Sequence, residues 1–167
     1  MILLSLSVGA VLAADQEPIV EWTSIDKSLS AVDATHKFII IDIVAPWCGW
    51  CKKMDESTFT DAAVGEQLRK NFVTVKLDAE AETTISFRGK NYVLAQNGTR
   101  KANQLALDLG KVNGRLGYPT LVVLDENGNK LQAFPGYKDA ENMNMILKYF
   151  LSGSYMTMDF QQYQSGQ

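Results

Sequence analysis

Two stretches of the chain are apolar at nearly every position. They are Phe38-Ile39-Ile40-Ile41-Asp42-Ile43-Val44 and Phe72-Val73-Thr74-Val75-Lys76-Leu77-Asp78. Short continuous runs rich in β-branched residues predict strands covered on both faces of a sheet. Asp42 interrupts the first run, and a carboxylate in such a strand must be neutralised or paired. A third run, Thr120 to Leu124, is entered from the loop Gly117-Tyr118-Pro119. The turn Asp125 to Asn129 follows, then a returning strand from Lys130 to Phe134 that Pro135-Gly136-Tyr137 ends.

The remaining apolar positions recur at helical spacing. Ile25 and Leu29 predict a helix over about 24–33. Lys52 to Phe59 and Asp61 to Asn71 read as helix, break, helix, the second turning Val64 and Leu68 to one side. Leu105 to Leu116 predicts a helix with Gly110 and Gly114 near its end. Ala140 to Leu151 predicts another, carrying Met143, Ile146, Leu147 and Phe150. Between them, Thr84 to Arg88 and Asn91 to Leu94 flank Gly89-Lys90 as a hairpin, and Asn97-Gly98 marks a further turn. Strands alternating with helices predict an α/β domain with a mixed sheet and an antiparallel hairpin at one edge. The polar segment 153–167 is expected to be a loosely packed tail.

The first 14 residues form an apolar segment of small residues, with no Lys or Arg before it, that ends in Val11-Leu12-Ala13-Ala14. This reads as a signal peptide cleaved after Ala13 or Ala14, which predicts a periplasmic or secreted product. The organisation expected is therefore a leader over 1–14, a domain over 15–152 with an insertion at about 80–104, and the tail.

Composition narrows the function classes. The chain has 167 residues and a net charge of -3, so it lacks the basic footprint of a nucleic-acid binder. It has two cysteines and one histidine, His36. A structural zinc site normally needs four ligands, so neither a metal nor another cofactor is expected. His36 reads as a solvated loop residue.

The two cysteines stand in Trp47-Cys48-Gly49-Trp50-Cys51. A disulfide closing so short a ring removes little unfolded-state entropy, which favours a chemical role over a structural one. The pair follows a buried-type strand and opens a helix, the context that raises a Cys-x-x-Cys pair to a redox reading. At a helix start, the Cys48 thiolate faces free backbone N–H groups and the positive end of the helix dipole. Cys48 is then the nucleophile, and Cys51, one turn on, resolves the mixed disulfide. Asp42, six residues before Cys48, is the candidate for handling the Cys51 proton, with Lys76 as its charge partner. Trp47 and Trp50 are candidate substrate-facing aromatics beside Gly49. Tyr118 and Pro119 precede a strand, where a cis bond would present Tyr118 backbone groups to an extended peptide.

In order and near-spacing, Asp42, Ala45, Trp47, Cys48, Gly49, Cys51, Lys52, Lys76, Pro119-Thr120 and Gly136 resemble thioredoxin. From Ile39 to Lys148 the chain looks most like exported thioredoxin-like proteins of the SoxW-like or protein-disulfide-isomerase-like sort. The resemblance implies a central sheet flanked by helices, Cys48 as attacking thiol, Cys51 as resolving thiol, Asp42 as buried acid and a cis Pro119. Where thioredoxin has proline between the cysteines, this chain has Trp50, and the segment from Glu80 to Gln104 is additional. A histidine beside the attacking thiol would favour an oxidant; its absence points to a reductase or isomerase acting on disulfides of exported proteins. In an oxidising compartment such a reductase needs a donor, expected to be linked to the membrane. The alternatives are a disulfide oxidase, a non-catalytic binding module, or a copper-handling module using both thiolates.

Overall fold

The computed structural model describes residues 19–166, so the segment read as a leader lies outside the described residues. The chain enters along the outer edge of the sheet, where the Thr23 N–H donates to the Thr74 carbonyl at 2.8 Å. Helix α1 (Ile25–Ser28) continues as a 3-10 turn over Leu29–Ala31, within the span read as one helix. Strand β1 (Phe38–Val44) is the first apolar run. Helices α2 (Gly49–Ser57) and α3 (Ala62–Asn71) follow, the latter capped by the Asp61 carboxylate on the Val64 N–H at 2.9 Å. Strand β2 (Phe72–Asp78) then returns parallel to β1, with Asp42 opposite Lys76.

The segment after β2 forms two hairpins. One pairs β3 (Ile85–Phe87) with β4 (Lys90–Tyr92), and the other pairs β5 (Leu94–Asn97) with β6 (Arg100–Asn103). The first turns on Arg88-Gly89, both at positive φ, one residue earlier than Gly89-Lys90. This matches the mirror-image turn that suits a two-residue hairpin loop. The ends of the insertion meet at one place: the Ala79 N–H donates to the Val44 carbonyl at 2.9 Å, and the Ala79 carbonyl accepts the Asn103 N–H at 2.6 Å.

Helix α4 (Gln104–Gly110) is shorter than the span to Leu116 that periodicity predicts. Asn113 and Gly114 both take positive φ, and Val112 and Arg115 exchange backbone hydrogen bonds around them at 3.0 and 3.1 Å. This Asn-Gly turn overrides the apolar spacing. Strands β7 (Thr120–Leu124) and β8 (Lys130–Pro135) complete a four-stranded sheet in the order β2-β1-β7-β8. β1 runs parallel to β2 and antiparallel to β7, so the sheet is mixed, and its second antiparallel pair, β7 and β8, lies at one edge.

Alternation along β1 divides the core. Ile39, Ile41 and Ile43 face α1, α4 and the insertion; Leu105 of α4 and Phe87 and Ala102 of the insertion join that cluster. Ile40 faces Met54, Val64 and Leu68 of α2 and α3. Met143, Ile146 and Leu147 of α5 (Ala140–Leu151) join that second cluster. Covering both faces with helices explains why β1 and β2 are apolar nearly throughout.

The segment 153–167 is not a loose tail over its described part. Helix α6 (Phe160–Ser165) starts with a capping box between Asp159 and Gln162. Its Phe160 ring lies 5.0 Å from Phe134 and 5.3 Å from Tyr149, and Tyr163 lies 5.2 Å from Tyr149. The scattered aromatic residues of a polar segment thus supply the apolar area that docks it. No helix among the described residues is long and apolar enough to cross a membrane.

Candidate active site

Strand β1 delivers the chain to the site. Ala45 follows it, and the Cys48 N–H donates to the Ala45 carbonyl at 3.0 Å, turning the chain into α2. Cys48 is the N-cap of that helix, and its sulfur accepts the Cys51 N–H at 3.0 Å. A sulfur thus occupies the place where a Ser or Asp side chain usually satisfies a free helical N–H. Cys48 and Cys51 are joined as a disulfide, with their Cα atoms 5.3 Å apart. Both are buried and pack in one small cluster with Ala45, Val44 and Tyr118. The Tyr118–Pro119 peptide bond is cis. The Pro119 carbonyl accepts the Gly136 N–H at 2.7 Å, and Thr120 Oγ1 donates to the Gly117 carbonyl at 2.8 Å, so the loop is tied at both ends.

Asp42 is fully buried, and neither carboxylate oxygen accepts a hydrogen bond among the described residues. It points to the α2 face of the sheet, since it alternates with Ile41 and Ile43 and shares the parity of Ile40. Burial pushes its carboxyl up to about 7, against the opposing pull of the Lys76 ammonium. Lys76 Nζ lies 3.5 Å from Asp42 Oδ2 but makes its closer contact with the Asp55 carboxylate. The ammonium also sits over the Trp22 ring at 4.6 Å and 5.4 Å from the Phe59 ring. Asp55 adds negative potential that raises Asp42 further. A cleft of about 460 Å³ lined by Trp22, Asp55, Phe59 and Lys76 opens beside this group. A carboxyl poised near 7 can both take up and give up a proton at neutral pH.

The rim is aromatic. Trp47 and Trp50 are 51% and 63% exposed, well beyond what folding alone asks of tryptophan. The Trp47 ring meets Tyr118 edge-on at 5.6 Å, and Trp50 lies 5.4 Å from Tyr137. Gly49, the first residue of α2, has nothing within 4 Å of where a Cβ would stand, so this part of the rim is open. The Tyr118 phenol is pushed up to about 12 by burial and by Glu80 and Asp78, which keeps it protonated.

The fold therefore gathers Cys48, Cys51, Trp47 and Tyr118 at one end of β1, and sets Asp42 and Lys76 within the sheet below them. Sequence reasoning missed Asp55, Glu80, Arg100 and Tyr137. Asp55 carried a signal, since four residues after Cys51 is the same face of the helix. The other three reach the site from distant segments and carried none. His36 is only partly exposed: its ring bonds Asp33 through Nδ1 at 3.0 Å and the Arg69 carbonyl through Nε2 at 3.0 Å, contacts that raise its pKa. Among the described residues, no group of three or more His, Cys, Asp or Glu is placed to hold a metal ion.

A family model described as a thioredoxin-like domain matches residues 25–151. The chain belongs to the thioredoxin-like family. A protein disulfide-isomerase of Ricinus communis is 29% identical over 150 residues, covering 87% of this chain and 25% of that protein. One of Medicago sativa is 26% identical over 113 residues, covering 68% and 18%. The chain thus spans about a quarter or less of the length of these curated relatives. Among solved structures, a thioredoxin-fold protein from Helicobacter pylori matches with a TM-score of 0.58 at 13% identity, covering 85% of this chain and 86% of that one. A thioredoxin from Thermus thermophilus matches with a TM-score of 0.55 at 16% identity, covering 79% and 87%. These structural matches concern the thioredoxin-like fold.

Proposed function

We propose that this thioredoxin-like disulfide oxidoreductase works as a reductase or isomerase on disulfides of exported proteins. The observation that carries the reading is the placement of Cys48 as helix N-cap, its sulfur on the Cys51 N–H, with buried Asp42 in the strand that feeds the site. In the reduced enzyme, the helix terminus favours the Cys48 thiolate. The thiolate attacks one sulfur of a substrate disulfide, forms a mixed disulfide and expels the other sulfur as a thiolate, which takes a proton from water. Asp42 accepts the Cys51 proton. The Cys51 thiolate then attacks the Cys48 sulfur, expels the second substrate thiolate and closes the Cys48–Cys51 disulfide. Two electrons pass from the dithiol to the substrate, and a membrane-linked donor returns them. In the isomerase mode a substrate thiolate displaces Cys48 instead, with no net electron transfer.

Trp50 between the cysteines, in place of a histidine, supports reduction or isomerisation over oxidation, and the likeness to the protein disulfide-isomerases of Ricinus communis and Medicago sativa supports the isomerase mode. The apolar leader supports an exported location and exported substrates.

The test uses reduced protein and insulin as substrate. Cys48→Ser abolishes insulin reduction, whereas Cys51→Ser accumulates a mixed disulfide at Cys48. Insulin reduction by Cys48→Ser at the wild-type rate overturns the proposal. A reduction potential near the roughly -120 mV of the strongest disulfide oxidants reassigns the chain to oxidation.

A further inference from the structure

The insertion between β2 and α4 folds back onto the active-site rim, and one residue of its second hairpin makes the contact. The Arg100 guanidinium lies over the Trp47 ring, 4.2 Å from its centroid. Glu80, at the insertion's entry, accepts the indole N–H through both carboxylate oxygens at 3.0 Å, and Tyr118 meets the ring edge-on. Trp47 is thus held at its N–H by Glu80, at one face by Arg100 and by a T-shaped contact with Tyr118, while half its surface stays open. A ring held in this way has little torsional freedom left to lose when a partner binds.

We propose that Arg100 makes the insertion part of the substrate platform: it is a positioning residue that fixes Trp47 as one wall of a slot for extended, disulfide-bonded polypeptides beside Pro119. The inference rests on the disulfide-exchange reading above. Two features favour a polypeptide over a small disulfide, and a third assigns Arg100 its role. The open indole adjoins Tyr118, whose backbone precedes the strand-like segment Thr120–Leu124. The exposed Trp50 stands on the other side of Cys48 in the motif and packs on Tyr137, so aromatic surface flanks the buried sulfurs. Among the described residues the Arg100 side chain forms no ion pair and donates no hydrogen bond, so its one contact of this kind is the stack on Trp47. A planar guanidinium suits that stack better than an ammonium does.

The experiment compares the full chain with Arg100→Ala and Arg100→Lys on two substrates, insulin and a small aromatic disulfide, with dithiothreitol as reductant. In Arg100→Ala, the KM for insulin rises about five- to tenfold and kcat stays within about twofold. The rate on the small disulfide stays within about twofold. Arg100→Lys, which keeps the charge and the aliphatic stem, recovers part of the KM. An unchanged KM for insulin in Arg100→Ala overturns the inference, as does an equal loss on both substrates, which would mark a structural or electronic effect on the cysteines. A wild-type chain inert toward both disulfides overturns the exchange reading itself, and the inference falls with it.

Discussion

Asp42 and Lys76 stand opposite each other in the β1–β2 ladder with 3.5 Å between carboxylate and ammonium, yet the ammonium makes its closer contact with Asp55. One cation is therefore shared between a fully buried carboxyl and a half-exposed one. Burial wins at Asp42, which holds its proton up to about 7 against an ordinary value of 3.8.

Stability should record this. Because the folded carboxyl binds its proton more tightly than the unfolded one, this group favours the folded state below about pH 4. That advantage is lost as pH rises through about 7. Asp42→Asn removes the cost of burying the charge and should be the more stable protein at pH 8.5, by on the order of 4 kcal/mol. At pH 4.5, just above the ordinary carboxylate value, the difference should shrink to about 1 kcal/mol. Urea unfolding across this range measures it; equal wild-type and variant stabilities at pH 8.5 would contradict it.

Asp55→Asn should free the Lys76 ammonium for Asp42 and remove a neighbouring negative charge. Both changes favour the ionised form, so the Asp42 midpoint should fall by about half a unit to one unit. Carboxyl-carbon NMR titration reads the midpoint directly. Lys76→Met should move it the other way.

Gly136 adopts φ +84 where its N–H reaches the Pro119 carbonyl. A Cβ meets no neighbouring atom there, so the cost of Gly136→Ala is conformational. It should destabilise the fold by about 1 kcal/mol, measurable as a lower denaturant midpoint at unchanged m-value.

The last helix should contribute to the core. Phe160→Ala removes ring contacts to Phe134 and Tyr149 and should cost about 2 kcal/mol, less than a fully buried phenylalanine because Phe160 is only partly covered. A loss below about 0.5 kcal/mol, the scatter of surface substitutions, would mean that α6 merely rests on the surface.

The sheet was legible because its strands are apolar runs rich in β-branched residues: Phe38 to Val44 and Thr120 to Leu124 coincide residue for residue with β1 and β7. The motif's place at the start of a helix followed from the same pattern. Periodicity failed where local turn chemistry competed with it, as at Asn113-Gly114. It also failed where apolar residues were sparse but aromatic, as at Tyr155, Phe160 and Tyr163. The contacts of Glu80 and Arg100 with Trp47 join segments 33 and 53 residues apart in sequence. No local spacing encodes such pairs; the fold has to form before they meet.

The paired hydrogen bonds at Ala79 let the chain leave and rejoin the domain at a single point. A segment with coincident ends can change length at small entropic cost, about 0.6 kcal/mol for each doubling. The insertion's exposed turns are accordingly free to change length, while its Phe87 and Ala102 stay committed to the core that β1 and α4 share. Recognition and electron transfer would then be separately tunable parts of one small protein.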